Sequence, residues 1–219
     1  MVVAFRAAST LDDANVADTT LTKPTGTVDN DILIAVLKTD DNVAVTAPAG
    51  WTLLRNTDSP GQLTDQDAYW KRASGEGASW TWTHAAAFRS GCVIALSGAV
   101  TTGDPFDGSK ITDNTGVGTA VTVLSITLTE TDSLILCIST SWDYVTATGP
   151  GGTPTFTERV DNAQCHAVYT ASATASGAVG NKTITLSSST DWMSLMLAVR
   201  SQVTAPAGRK PLLTLLRAG

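Results

Sequence analysis

The sequence predicts an all-β protein in which antiparallel strands form a β-sandwich. Its 219 residues include 18 Gly and 8 Pro alongside many Thr, Ser, Val and Ala residues, a composition that favours short strands joined by turns. Short segments alternate apolar and polar residues with a period of two, and no window before the C-terminal tail sustains a helical period. A chain of this length buries about 70% of its unfolded surface, which supports one large sandwich or two small ones without disulfide staples.

The alternating segments are short, and Gly, Pro, Asn or Asp residues bound them, as is typical of strands between turns. In the first half the predicted strands cover residues 2–9, 32–39, 51–56, 68–73, 79–84 and 92–100. In the second half they cover residues 120–129, 133–139, 155–160, 167–172, 182–187 and 193–201. This number of strands predicts one or two layers of sheet.

The second half reads as a diverged copy of the first. The match pairs Asp31-Ile-Leu-Ile-Ala-Val with Asp132-Ser-Leu-Ile-Leu-Cys, and Ala68-Tyr-Trp with Ala167-Val-Tyr. Near the end of each half, Ala95 matches Ala198. We therefore predict one sandwich domain over residues 1–203, made of pseudo-repeated halves at about 1–100 and 119–203. The stretch 101–118 between them contains Phe106 and Ile111 among turn-forming residues, so we expect a crossover packed on the surface.

Residues 204–219 differ from the rest of the chain. They follow a linker-like Thr204-Ala-Pro-Ala-Gly and concentrate basic and leucine residues in an acidic protein, namely Arg209, Lys210, Leu212, Leu213, Leu215, Leu216 and Arg217. Fully extended, such a tail reaches about 50 Å. We expect these residues to form a C-terminal arm that docks on a partner, either as an added strand or as a short apolar helix.

The charge balance and the N-terminal sequence exclude several classes of function. Lys and Arg number 14 against 20 Asp and Glu, which gives a net charge of −6. Nucleic-acid binding requires a positive field, so no nucleic-acid partner is expected. Residues 1–6 lack the features of a signal peptide, and no segment approaches the roughly 20 apolar residues of a membrane span. No membrane partner is expected.

The nucleophiles and bases of the sequence do not form a catalytic pattern. Cys92 and Cys137 lie in apolar strand-like segments and are expected to be buried thiols. Cys165 and His166 are adjacent in a strand, so their side chains point to opposite faces. There is no Gly-x-Ser-x-Gly motif and no His-x-x-x-His pair. We predict that the protein is not an enzyme.

The acidic residues also favour a structural interpretation. Most Asp residues fall in predicted turns, where their side chains bond the local backbone, and none has the spacing of an EF-hand loop. Glu158 has no acidic companion at strand spacing, so no carboxylate pair for glycoside hydrolysis is present. No metal and no cofactor are expected.

Tryptophan offers a binding interpretation beside a packing one. Trp80 and Trp82 share one face of a strand, where exposed rings would stack on sugars. Their counterparts in the second half are Ile184 and Leu186, which are ordinary core residues. Core packing is therefore the favoured interpretation.

The order of short motifs over about residues 1–202 resembles a domain that is common in phage virion proteins. In the first half the resemblance rests on Pro48-Ala-Gly-Trp-Thr-Leu, Tyr69-Trp-Lys-Arg-Ala-Ser, Ser79-Trp-Thr-Trp-Thr, Ala95-Leu-Ser-Gly-Ala-Val and Asp104-Pro-Phe-Asp. In the second half it rests on Phe156-Thr-Glu-Arg-Val-Asp, Gly180-Asn-Lys-Thr-Ile-Thr-Leu and Met196-Leu-Ala-Val-Arg. The tail lies outside the resemblance.

The resemblance implies a jelly-roll type of sandwich and a structural role in a virion, and it brings no catalytic residues. One hypothesis is a capsid decoration (cement) protein, made in the host cytoplasm, that binds the outer head surface and stabilises the shell. Its partners would be the major capsid protein and copies of itself in a cyclic homo-oligomer. The alternative is a tail or fibre adhesin that binds a cell-surface glycan, for which exposed Trp residues around a concave site are expected.

Overall fold

The computed structural model describes residues 1–162 and 166–202, in which all regular structure is β. The first half contains β1 (Ala4–Val16), β2 (Thr19–Thr22), β3 (Ile32–Asp40), β4 (Thr52–Asp58), β5 (Thr64–Arg72), β6 (Ser79–Trp82) and β7 (Ala87–Ser97). The second half contains β8 (Phe106–Val123), β9 (Thr127–Leu128), β10 (Leu134–Ser141), β11 (Ala147–Thr148), β12 (Thr157–Asn162), β13 (His166–Ser172), β14 (Gly177–Ala178) and β15 (Lys182–Val199). The predicted arm, residues 204–219, lies outside the described residues.

Two large antiparallel sheets and two small ones make up the molecule. The first large sheet has the order β1-β7-β3-β5-β4. The second has the order β8-β15-β10-β13-β12, and β11 pairs with the early part of β15. The small sheets are β2-β6 and β9-β14. The all-β sandwich prediction is therefore confirmed.

The internal repeat is confirmed by the strand order, which is the same in both halves. A detail of the edge strands supports it. In β4 the pairing with β5 shifts register between Leu53 and Arg55, and in β12 the pairing with β13 shifts between Glu158 and Val160. A β-bulge thus lies at Leu54 in one half and at Arg159 in the other. Both halves have kept the same irregularity.

The structure corrects the alignment of the two halves by one residue. If Ala95 matches Ala198, their partners Leu33 and Ile135 are equivalent. The next strands then match Tyr69 with Tyr169, whereas the sequence comparison had matched Tyr69 with Val168. A slip of one residue turns every side chain of a strand to the opposite face. The corrected match places both Tyr rings on the outer faces of their sheets.

The two large sheets pack face to face through a core that both halves share. Fully buried residues of this core include Ile34, Val36, Leu136 and Leu197. Each large sheet also has a second cluster of buried apolar residues on its outer face. In the first half this cluster includes Trp82, and the small β2-β6 sheet covers it. Each half is therefore a large sheet with its own cover, and the halves pack back to back. This arrangement does not confirm the jelly-roll connectivity.

The stretch predicted as a surface crossover is mostly strand. Residues 106–123 form β8, which pairs with β15 from Phe106 opposite Val199 to Val123 opposite Lys182. Its Gly, Asp and Asn residues suggested turns, but β8 lies at the edge of its sheet, where such residues are tolerated. The connection between β7 and β8 is therefore only residues 98–105.

Each half sends one phenylalanine across to the other half. Phe5 and Phe106 hold equivalent places in β1 and β8, because they pair with Leu96 and Val199. The Phe106 ring packs edge-on against Trp70 at a centroid distance of 5.3 Å. The Phe5 ring lies under the guanidinium of Arg159, 4.7 Å from its centroid. The two halves are therefore joined by reciprocal contacts.

Candidate functional site

Ser201 and Gln202, which precede the predicted arm, are held by hydrogen bonds to residues of the first half. The Met1 amino group donates to the Gln202 carbonyl oxygen at 2.8 Å, and the Val3 amide donates to Ser201 Oγ at 2.9 Å. The Gln202 amide donates to the Gly98 carbonyl oxygen at 2.9 Å. Gly98 has a φ of +76°, and a Cβ there would overlap the Val2 carbonyl oxygen. Residue 202 is thus tied to the N-terminus and to the β7–β8 connection.

Exposed apolar side chains surround this anchor. Met1 is 68% exposed, Val2 59% and Val28 54%. A cavity of about 260 Å³ lies among Met1, Val28, Gly98, Gln202 and their neighbours. Because apolar groups in contact with water favour burial, this end of the sandwich is suited to covering by a partner. The arm residues Arg209 to Arg217 themselves lie outside the described residues.

Trp80 and Trp82 are core residues, as the comparison of the two halves predicted, and Trp51 packs with them. Trp82 is fully buried, and Trp51 and Trp80 are nearly so. The Trp51 ring packs at 5.2 Å from Trp80 and 5.0 Å from Trp82, between centroids. These rings are closed to solvent and therefore closed to a sugar.

Trp142, in the loop after β10, is exposed. Its side chain is 39% exposed, and that of Tyr144 is 61% exposed. The loop is anchored: the Trp142 amide donates to the Asp191 carbonyl oxygen at 3.0 Å, and the buried Lys38 Nζ donates to the Trp142 carbonyl oxygen at 3.1 Å. Two exposed aromatic rings are therefore presented from a fixed backbone.

A polar chain of side chains crosses the interface between the large sheets. Gln66 Nε2 donates to Thr140 Oγ1 at 2.7 Å, Thr140 lies 3.2 Å from His166 Nδ1, and Ser90 Oγ lies 3.0 Å from His166 Nε2. All four residues are buried. Burial, together with the nearby Lys38 charge, lowers the pKa of His166 to about 3.

This chain is an internal connection between the halves, since its Ser–His pair has no access to solvent. Sequence reasoning missed it because Ser90 and His166 are 76 residues apart and no local motif marks them. Residues two apart on a strand face the same side of the sheet. Gln66 and Ser90 therefore face the other sheet, because each lies two residues before a member of the shared core, Ala68 in β5 and Cys92 in β7.

Aspartates meet on the outer face of the first sheet. Asp58 lies directly opposite Asp65 in the β4–β5 pair. Burial and the Asp58 charge raise the pKa of Asp65 to about 7. Burial also raises the pKa of Asp67, against a hydrogen bond from Asn56 Nδ2 at 3.0 Å. Asp65 and Asp67 therefore hold their protons more tightly than a carboxyl group in water does.

Within residues 1–162 and 166–202, no group of three or more His, Cys, Asp or Glu side chains could hold a metal ion. Cys92 and Cys137 are buried, as predicted, and burial raises the pKa of each thiol to about 12. No helix long and apolar enough to cross a bilayer occurs in the described part of the chain.

No known family model matches this sequence, and no curated protein or solved structure is significantly similar to it.

Proposed function

We propose that this chain is a structural protein of a tailed-phage particle, and specifically a decoration protein that binds the outer head surface and stabilises the shell. The resemblance of the motifs over residues 1–202 supports the virion role. The observation that carries the proposal is that Gln202, two residues before the predicted arm, is held to Met1 and Gly98 by hydrogen bonds of 2.8 and 2.9 Å.

A cement protein must join subunits of a shell without deforming. The two halves share one buried core and reciprocal Phe contacts, so the sandwich is a stiff block. Gln202, two residues before the predicted arm, is held at one end of this block, where Met1, Val2 and Val28 are exposed. In the proposed function, the block covers a junction between capsid subunits while Leu212 to Leu216 and the basic residues of the arm dock on the major capsid protein or on a second copy.

The test is to purify phage particles made with and without this gene. Mass spectrometry should detect the chain in the first particles, and cryo-electron microscopy should show head-surface density that is lost in the second. Particles without the chain should lose their DNA at lower temperature. If mass spectrometry finds no trace of the chain in purified particles made with the gene, the virion role is contradicted.

One observation favours a second candidate, a tail or fibre adhesin. Trp142 and Tyr144 are exposed on an anchored loop, and aromatic rings presented in this way stack on sugars. Under this alternative the missing density would lie on the tail, and Trp142→Ala would reduce adsorption of particles to cells. Normal adsorption of the Trp142→Ala particles would exclude it.

A further inference from the structure

A cavity of about 400 Å³ opens beside β12 and β13 in the second half. Hydroxyl side chains dominate its wall together with one guanidinium. The polar residues that line it are Thr153, Thr155, Thr157, Arg159, Thr170, Ser172 and Thr174. Its volume falls in the usual range of small-molecule sites.

Arg159 is fixed at the edge of this cavity by two contacts. Its Nε donates to Thr170 Oγ1 at 2.8 Å, and its guanidinium stacks on the Phe5 ring at 4.7 Å. No salt bridge engages Arg159 among the described residues, and its two terminal nitrogens have no hydrogen-bond acceptor there. Arg159 therefore keeps a planar pair of donors for use by a ligand in a protein whose net charge is −6.

The first half shows that packing alone does not require an arginine here. At the equivalent bulge stands Leu54, which packs against the shared core, and the place of Thr170 is taken by Trp70. A cavity of about 330 Å³ lies at this place as well, and its wall includes Leu54, Trp70 and Phe106, with Phe106 packed on Trp70. Both halves thus form a cavity beside the bulge, but its wall is largely apolar in the first half and consists of an arginine and hydroxyl groups in the second.

We propose that the cavity at Arg159 binds a carboxylate-bearing polar ligand of the size of an acidic monosaccharide. The two terminal nitrogens of a guanidinium match the two oxygens of a carboxylate. The Thr and Ser hydroxyls can both donate to and accept from sugar hydroxyls. A single cation suits one carboxylate better than a doubly charged phosphate. This inference does not depend on the particle role, so its failure would leave the proposed function untouched.

The test is isothermal titration of the full-length protein with D-glucuronate, D-glucose and inorganic sulfate. We expect binding of glucuronate, with glucose and sulfate at least about tenfold weaker, since one charge-assisted pair contributes a factor of that order. Absence of glucuronate binding, or equal binding of glucose or of sulfate, would overturn the proposal.

Three variants locate the site. Arg159→Leu copies the residue that the first half holds at this position, so the fold should persist, and glucuronate binding should fall at least about tenfold. Arg159→Lys keeps the charge but loses the planar pair, and it should bind more weakly than the wild type. Arg55→Leu is the matched control, because it removes one positive charge from the same bulge region of the first half, where Arg55 pairs with Asp113 at 2.9 Å. Equal loss in Arg55→Leu and Arg159→Leu would show general charge attraction and overturn the assignment.

Discussion

Phe106 packs against Trp70 across the boundary between the two halves, with the ring planes at 84°. Phe106 is nearly buried, whereas its equivalent Phe5 is only half-buried beneath Arg159. The two contacts occupy matching places in the repeated structure. A contact between two aromatic rings can therefore be compared with a cation–π contact within one chain.

The first prediction concerns these two phenylalanines. Phe106→Ala should lower the free energy of unfolding by about 3–5 kcal/mol, because it leaves a cavity beside Trp70. Phe5→Ala should lower it by only about 1–2 kcal/mol, since a half-buried ring and a cation–π contact are lost. Urea unfolding of both variants provides the measurement. A larger loss in Phe5→Ala would contradict the stated asymmetry.

The second prediction concerns Gly108, whose φ is +56° and where a Cβ would overlap the Thr127 carbonyl oxygen. Gly108→Ala should destabilise the protein by roughly 3 kcal/mol or more, because backbone has to move in addition to the left-handed penalty. Gly103→Ala is the control: its φ is +70° but its site is open, so only about 1–2 kcal/mol is expected. Thermal unfolding of the two variants should separate the two costs, and equal midpoints would refute the overlap.

The third prediction follows from the raised pKa of Asp65. The folded protein keeps this proton up to about pH 7, whereas the unfolded chain releases it near pH 4. Stability should therefore fall as the pH rises from 4 to 7, by about 1–3 kcal/mol. Asp65→Asn should remove most of this loss and should be more stable than the wild type at pH 8. If the wild type and the variant give parallel curves of unfolding free energy against pH, Asp65 does not titrate as described.

The fourth prediction concerns His166, whose pKa is lowered to about 3 in the folded protein. The unfolded chain takes up this proton near pH 6.5, so the stabilisation is complete above that pH and is lost as the pH falls toward 3. The ring signals of His166 in an NMR titration should stay constant between pH 8 and pH 5. A shift of those signals with a midpoint near pH 6 would show that the ring is accessible to solvent.

Local pattern was sufficient for most strands and for the repeat. The segment that follows Asp31 was predicted as a strand over residues 32–39, and the structure has it at Ile32–Asp40. Such a central strand is apolar on both faces, so its signal does not depend on distant partners. The match of Ala95 with Ala198 agrees with the positions of the two bulges, whereas the match of Asp31 with Asp132 is one residue out, because Leu33 is equivalent to Ile135.

The remaining features depend on contacts that a linear pattern does not show. β8 is rich in Gly, Asp and Asn, and only its pairing with β15 makes it a strand. The one-residue error at Tyr69 arose because Ala68-Tyr-Trp and Ala167-Val-Tyr are apolar at every position, so the pattern does not distinguish the two faces of the strand. Arg159 was not predicted as a site residue, because its stacking on Phe5 and its place in the cavity wall beside Thr170 exist only in three dimensions.

The hydrogen bond between Met1 and Gln202 brings residues 1 and 202 to one place on the surface. A linker of a few residues could therefore join them, and the chain could be circularly permuted with new ends in the exposed turn at Gly151 and Gly152. Every strand pairing would be kept. For the same reason, a fluorescent label or a fused domain would emerge at the same face whether it is attached before Met1 or after Gln202.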